Sequence, residues 1–170
     1  MKKVLIFGAV KHVIKKAKEL GYETIVIDQN PNIACIKQAD KFKNISFEAY
    51  EECLQYAREE HVDGVVTATE FAVLTASYVA NKMNLPGLDF EVAKLVKSKY
   101  EIRKKMQEKY ITNVPQFYEV SKIEELYEIK DKIKFPIILK PCSGLGSLYV
   151  YKIDDFETLM QKIQEEKNRK

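Results

Sequence analysis

The sequence of 170 residues has no tryptophan, only two histidines and only three cysteines. The cysteines are widely spaced and form no Cys-x-x-Cys pair, so neither a disulfide framework nor a zinc site is expected. Neither His12 nor His61 has a second ligand at metal-binding spacing. These shortages predict no metal site within this chain, and they favour a reducing, cytoplasmic location.

Long apolar runs are also missing. The first one, from Val4 to Phe7, has only four residues, which is too short for a signal peptide or a membrane span. The net charge of +3 comes from interspersed Lys and Glu, without a basic stripe alternating with aromatic residues. We therefore expect no nucleic-acid partner and no membrane partner. With 46% hydrophobic residues, the chain can bury a core as one domain or two small ones.

The first half of the chain alternates between buried strands and amphipathic helices. The run from Val4 to Phe7 and the run from Thr24 to Ile27 suit parallel strands buried on both faces. The helix between them ends at Gly21, which completes a βαβ unit. Further units of the same kind continue to Leu88. The prediction is a Rossmann-like α/β domain over residues 1–88, with about four parallel strands.

Three residues in this half are candidates for ligand contact, because ligands of such sheets bind beyond the carboxyl ends of the strands. They are Gly8, Asp28 and Glu70. Asp28 follows Gly8 by about twenty residues, as in nicotinamide-binding proteins, but two of the three fingerprint glycines are absent. Asp28 is then a strand-end turn residue or a contact for a small ligand. Glu70 either interacts with a helix N-terminus or binds a substrate.

From Asp89 the sequence predicts a long helix that reaches about Tyr110. Its apolar residues recur at helical spacing, but Lys99 falls near the middle of the apolar stripe, with Arg103 one turn further on. A buried lysine is costly without a counter-charge. Lys99 therefore extends to solvent, or the helix bends, or this face lines a cleft that holds an anion.

The segment from Phe135 to Lys152 has the pattern of a hairpin with a glycine-rich turn. Two β-branched and aromatic runs, Pro136 to Lys140 and Leu148 to Lys152, flank a turn that contains Ser143, Gly144, Gly146 and Ser147. Backbone N–H groups of such a turn can converge on an anion that the Lys140 ammonium also reaches. Many glycine-rich hairpins bind nothing, however. The spacing fits neither a Walker P-loop nor a dinucleotide fingerprint, because both require a helix after the glycines.

Two segments resemble the ATP-grasp ligase superfamily. The first is Phe-Pro-Ile-Ile-Leu-Lys-Pro-Cys-Ser-Gly-Leu-Gly-Ser at 135–147, which is similar to its small-loop strand pair. The second is Ser-Lys-Tyr-Glu-Ile-Arg at 98–103, which is similar to its phosphate-contacting helix. Asn113 to Tyr118 resembles a short strand of the same superfamily. The resemblance points to the carbamoyl-phosphate-synthetase-like and amino-acid-ligase-like branches.

The resemblance implies a fold and a site. Residues 1–88 would be a pre-ATP-grasp domain, and residues 89–170 the first α+β subdomain of an incomplete ATP-grasp fold. Lys99 and Lys140, with Arg103 in the same motif, would contact ATP phosphates, and Ser143, Gly144, Gly146 and Ser147 would form a flap over them. Gly8 and Glu70 are the candidate substrate contacts. Magnesium ligands are expected in a second subdomain that lies after this segment.

The leading functional hypothesis is the N-terminal portion of a ligase that forms an acyl phosphate from ATP and a small carboxylate. This portion by itself would be inactive and would need the remainder of the fold, in cis or in a partner chain. The first alternative is a non-catalytic nucleotide- or metabolite-binding module or a subunit of a split enzyme. A nicotinamide-binding protein is a weaker alternative. A homo-oligomer is compatible with each hypothesis.

Overall fold

The computed structural model describes residues 1–144 and 146–168. The chain divides into two compact units, Met1–Leu95 and Val96–Lys170. The division falls within a helix, whereas the sequence suggested a domain boundary before that helix. Each unit is described separately below.

The first unit is a parallel four-stranded sheet with helices on both faces. Its strands are β1 (Lys3–Phe7), β2 (Glu23–Asp28), β3 (Lys41–Asn44) and β4 (Gly64–Thr67), in the order β3-β2-β1-β4. Its helices are α1 (Lys11–Glu19), α2 (Tyr50–Glu59), α3 (Val73–Lys82) and most of α4 (Phe90–Lys97). The α/β class and the parallel sheet predicted from the sequence are confirmed.

Side chains that alternate along the central strands form the core on both faces of this sheet. Leu5 and Phe7 of β1 point to a cluster that includes residues of α2 and α3. Ile6 points to the opposite face and packs with Ile14 of α1 and Val26 of β2. Because both faces are covered, the central strands β1 and β2 contain continuous apolar runs.

The first residue of helix α4, Phe90, packs against helices α2 and α3 of the first unit. The ring of Phe90 lies 5.3 Å from the ring of Tyr78 and 6.0 Å from that of Tyr50. The Phe90 N–H also donates a hydrogen bond of 2.8 Å to the Asn81 side chain. These contacts explain why most of α4 belongs to the first unit.

The second unit combines three helices with a two-stranded antiparallel sheet. It contains α5 (Lys99–Glu108), α6 (Ile123–Ile129), β5 (Ile137–Leu139), β6 (Tyr151–Ile153) and α7 (Phe156–Lys167). Leu126, Ile153 and Leu159 form its buried core. The hairpin register pairs Ile137 with Ile153 and Leu139 with Tyr151.

Two further differences from the predictions concern the start of this half. Residues 113–118 do not form the expected strand. The expected single helix from Asp89 to about Tyr110 is two helices, because Ser98 has extended backbone (φ −92°, ψ 117°) between α4 and α5. The Ser98 hydroxyl accepts a hydrogen bond from the Glu101 N–H and so caps α5.

Candidate functional site

Because the helix breaks at Ser98, Lys99 does not lie in the middle of a continuous apolar helix face, and that pattern no longer indicates an anion site. Lys99 is the first residue of α5 and does not lie on a stripe that continues from α4. Two residues of the supposed stripe, Val92 and Val96, are 42% and 44% exposed. The stripe is therefore not a buried face, and the position of Lys99 has to be judged by its contacts.

Lys99 is bonded twice to the segment that follows β5. Its backbone N–H donates to the Cys142 carbonyl at 2.8 Å, which satisfies one of the open N–H groups at the start of α5. Its ammonium donates to the Gly144 carbonyl at 3.2 Å. The structure thus brings together Lys99 and part of the glycine-rich turn, which the sequence had assigned to one site.

Lys140 stands directly after β5 and faces two other cations. Its pKa lies below the ordinary lysine value, first because of partial burial and then because Arg103 and Lys99 are close enough to repel its charge. Arg103 lies one turn after Lys99 on α5 and donates to the Lys99 carbonyl at 3.3 Å. Three positive side chains from two elements therefore share one region of the second unit.

Lys99, Arg103 and Lys140, which we call the cation cluster, have no carboxylate within ion-pair distance among the residues that the structure describes. Across residues 1–144 and 146–168, none of the three takes part in an ion pair. Other lysines of the same unit do have acidic partners, such as Lys105 with Glu108 at 3.0 Å. A group of like charges without a counter-charge has the chemistry of an anion site.

Between the end of β5 at Leu139 and the start of β6 at Tyr151, the structure describes residues 140–144 and 146–150, and the second strand begins later than predicted. Gly144 has φ +154° and Gly146 has φ +59°. Ser147 and Tyr149 also have left-handed backbone, with φ +57° and +59°. The flap residues Ser143, Gly144, Gly146 and Ser147 are all exposed. Such backbone cannot continue a strand, which accounts for the late start of β6.

Cys142 and Glu119 were not recognised from the sequence. The Cys142 thiol donates to a Glu119 carboxylate oxygen at 3.2 Å. Partial burial and this carboxylate both raise the pKa of the thiol, so Cys142 is not an activated nucleophile. The position of Cys142 between Lys140 and Gly144 could have identified it as a site residue, whereas no sequence pattern near Glu119 does so.

In the first unit, Gly8 and Glu70 belong to adjacent segments at the carboxyl edge of the sheet. Gly8 has φ +87°, and a Cβ atom there would come within 2.6 Å of Thr69 Cγ2. Only glycine fits this position without strain, because both the backbone angle and the space exclude a side chain. Glu70 follows Thr69 and opens a short 3-10 turn, Glu70–Ala72, that leads into α3. An exposed carboxylate at that place interacts favourably with the start of the helix.

Asp28 has a structural role. It is 6% exposed, and its two carboxylate oxygens accept hydrogen bonds from the Ala9 N–H (2.7 Å) and the Asn30 N–H (2.9 Å). Both oxygens therefore hold the loops after β1 and β2. This arrangement supports the turn-residue interpretation of Asp28 and does not favour a ribose contact.

Two negative findings concern the described part of the chain. In it, no group of three or more His, Cys, Asp or Glu side chains is arranged to hold a metal ion. Within the same residues, no helix combines the length and the apolar character that crossing a membrane requires.

Comparison with known proteins agrees with this architecture. Residues 14–87 match the family described as the ATP-grasp N-terminal domain. The chain is 26% identical over 159 residues to the carbamoyl phosphate synthase large chain of Thermotoga petrophila, covering 91% of this chain and 14% of that protein. It is 30% identical over 100 residues to the L-arginine-specific L-amino acid ligase of Bacillus subtilis, covering 57% of this chain and 24% of the ligase.

A solved structure extends the likeness along the chain. The N5-carboxyaminoimidazole synthetase of Staphylococcus aureus, complexed with ADP, matches 96% of this chain with a TM-score of 0.81 at 17% identity. At that identity the match shows the fold alone. This chain corresponds to 44% of that structure, and it spans less than half of each relative described here.

The chain therefore has the fold of an ATP-grasp protein. More particularly, residues 14–87 match the ATP-grasp N-terminal domain, and the chain has the fold of the N-terminal region of ATP-grasp ligases. The resemblance inferred from the two sequence segments is confirmed.

Proposed function

We propose that this chain is the N-terminal portion of an ATP-dependent ligase of the carboxylate–amine or carbamoyl-phosphate type, and that it supplies part of the ATP phosphate site. The observation that carries the proposal is the cation cluster, in which Lys99, Arg103 and Lys140 lie close together with no ion pair to any described residue. Relatives named as a synthase and as an amino acid ligase support the same class of activity.

In this proposal Lys99 and Lys140 neutralise phosphate oxygens, with Arg103 beside them. In the structure, the Gly144 carbonyl accepts a hydrogen bond from the Lys99 ammonium. A phosphate oxygen is a stronger acceptor than a neutral carbonyl, so a phosphate of the nucleotide would replace this carbonyl as the partner of Lys99. Ser143, Gly144, Gly146 and Ser147 would then cover the phosphates. Activation of the carboxylate as an acyl phosphate would depend on positioning and charge neutralisation.

The rest of the site is proposed to lie outside these two units. Mg²⁺ needs oxygen ligands near the phosphates, and we assign them to the remainder of the ATP-grasp fold, in cis or in a partner chain. Gly8 and Glu70 are proposed as contacts for the small carboxylate substrate or its acceptor. We place the protein in the cytoplasm, as its cysteine usage favours.

Binding of Mg-ATP to the complete gene product tests the phosphate assignment. Isothermal titration should show that Lys99→Ala and Lys140→Ala each weaken binding by about tenfold or more, because each removes a charge-assisted hydrogen bond worth about 1.5–3 kcal/mol. Lys105→Ala is the matched control, since Lys105 lies on the same helix but pairs with Glu108. Wild-type affinity in both site variants would refute the assignment.

A further inference from the structure

Three separate segments of the second unit meet at Cys142. Its carbonyl accepts from the Lys99 N–H at the start of α5, at 2.8 Å. Its thiol donates to Glu119, at 3.2 Å, in the irregular segment between α5 and α6. Through the chain it lies two residues after Lys140. Cys142 therefore links the segments that carry the two lysines to a third segment.

Such a link matters because the two lysines repel each other. The lowered pKa of Lys140 reflects its partial burial first, and then the nearby charges of Arg103 and Lys99. In the described residues no ion pair offsets this repulsion. Without a ligand, the cations can stay together only if the surrounding hydrogen bonds and packing hold their segments in place.

We propose that Cys142 and Glu119 are positioning residues of the phosphate site. Their side-chain hydrogen bond fixes the segment after β5 to the segment between α5 and α6, while the Cys142 carbonyl bonds the same segment to the start of α5. The side-chain bond thereby keeps Cys142, and Lys140 two residues before it, in position relative to Lys99. This inference rests on the proposed function for its purpose. The positioning role is tested without nucleotide. It can therefore fail while the assignment of ATP binding stands, and the assignment of ATP binding can fail while the positioning role stands.

The test is an NMR titration of the ligand-free chain with ¹³C-labelled lysine side chains, in which Lys140→Arg identifies the Lys140 signal. In Cys142→Ala and in Glu119→Ala, the pKa of Lys140 should rise towards the ordinary lysine value, because the cations move apart. Removing the negative charge of Glu119 would by itself lower the pKa of a nearby lysine. A rise therefore reports that Lys140 has left its partly buried position beside the other two cations, and not the loss of that charge.

Conservative variants separate positioning from general stability. Cys142→Ser keeps a donor and Glu119→Gln keeps an acceptor, so neither should raise the pKa of Lys140. Cys35→Ala is the matched control, because the Cys35 thiol also donates a hydrogen bond, to the Ala9 carbonyl in the first unit at 3.2 Å. It should leave Lys140 unchanged.

The proposal is overturned if Lys140 titrates as in the wild type in a folded Cys142→Ala or a folded Glu119→Ala chain. Circular dichroism establishes that each variant is folded. If one of the two alanine variants does not fold, the other decides.

Discussion

At the scale of the residue, the main finding is that Lys140 is held near Arg103 and Lys99 although all three are positively charged. Such an arrangement lowers the stability of the ligand-free protein, because like charges repel and a partly buried ammonium loses hydration. A bound polyanion would relieve both costs. The same groups therefore account for a lower stability without ligand and for a preference for phosphate.

Asp40 shows the opposite behaviour, a charge that stabilises the first unit. Its pKa is lowered to about 2, chiefly by the hydrogen bond from the Lys18 ammonium and then by that from the Thr24 N–H, both at 2.8 Å. The folded state thus favours the ionised carboxylate. This contribution is complete above the unfolded pKa of about 4 and is lost as the pH falls towards 2.

We therefore predict that Asp40→Asn lowers the free energy of unfolding by about 1 kcal/mol at neutral pH, a modest value because the side chain is 39% exposed. The difference from wild type should shrink between about pH 4 and pH 2. Urea denaturation at several pH values measures it. A deficit in Asp40→Asn that stays constant over this pH range would contradict the assignment.

At the scale of the element, the junction of α4 and α5 determines where Lys99 lies. Ser98 interrupts the helix and caps α5 through its side chain, and this places the Lys99 N–H next to Cys142. A continuous helix would leave that N–H bonded within its own backbone. The break is therefore part of the geometry of the candidate site.

Ser98→Ala should lower the free energy of unfolding of the second unit by about 1 kcal/mol, because the cap is lost. Ser98→Asp supplies another capping oxygen and should retain most of that stability. Chemical denaturation followed by far-UV circular dichroism measures both variants. Equal stability of Ser98→Ala and wild type would mean that the serine cap does not stabilise α5.

The sequence predicted the elements whose pattern is set locally. Continuous apolar runs identified β1 and β2, because both faces of these strands are buried. The single helix predicted from Asp89 was wrong because Ser98 caps a new helix, and apolar spacing does not reveal such a break. The predicted start of the last strand at Leu148 was wrong because Tyr149 adopts left-handed backbone. The high β-propensity of tyrosine gives no sign of this conformation.

The site residues, like the elements, could be predicted only where a local sequence pattern marks them. Lys99, Arg103 and Lys140 were grouped through the resemblance of two short segments, and the structure brings them together. The contact between Cys142 and Glu119 was out of reach, because it joins positions 23 residues apart with no shared pattern. Such contacts depend on tertiary packing.

At the scale of the whole molecule, the extent of the first unit is open to a direct test. The unit includes most of α4, since Phe90 packs against Tyr50 and Tyr78 and Ala93 is fully buried. A domain that ended at Leu88 would lack these contacts. The end of the independently folding part should therefore lie after α4.

A chain that ends at Lys97 should melt about 5 °C or more above one that ends at Leu88, because aromatic packing and burial are each worth about 1 kcal/mol. Thermal denaturation by circular dichroism measures both chains. Phe90→Ala in the longer chain should remove most of the gain. Equal melting temperatures would favour the boundary after Leu88 that the sequence predicts.

The central claim is that Lys99 and Lys140 form one anion site. It is tested most directly by titrating this chain with inorganic tripolyphosphate while the lysine side-chain NMR signals are followed. We predict that the signals of Lys99 and Lys140 shift together with a single dissociation constant, while that of Lys105 stays unchanged. Different constants for Lys99 and Lys140, or an equal response of Lys105, would contradict a shared phosphate site.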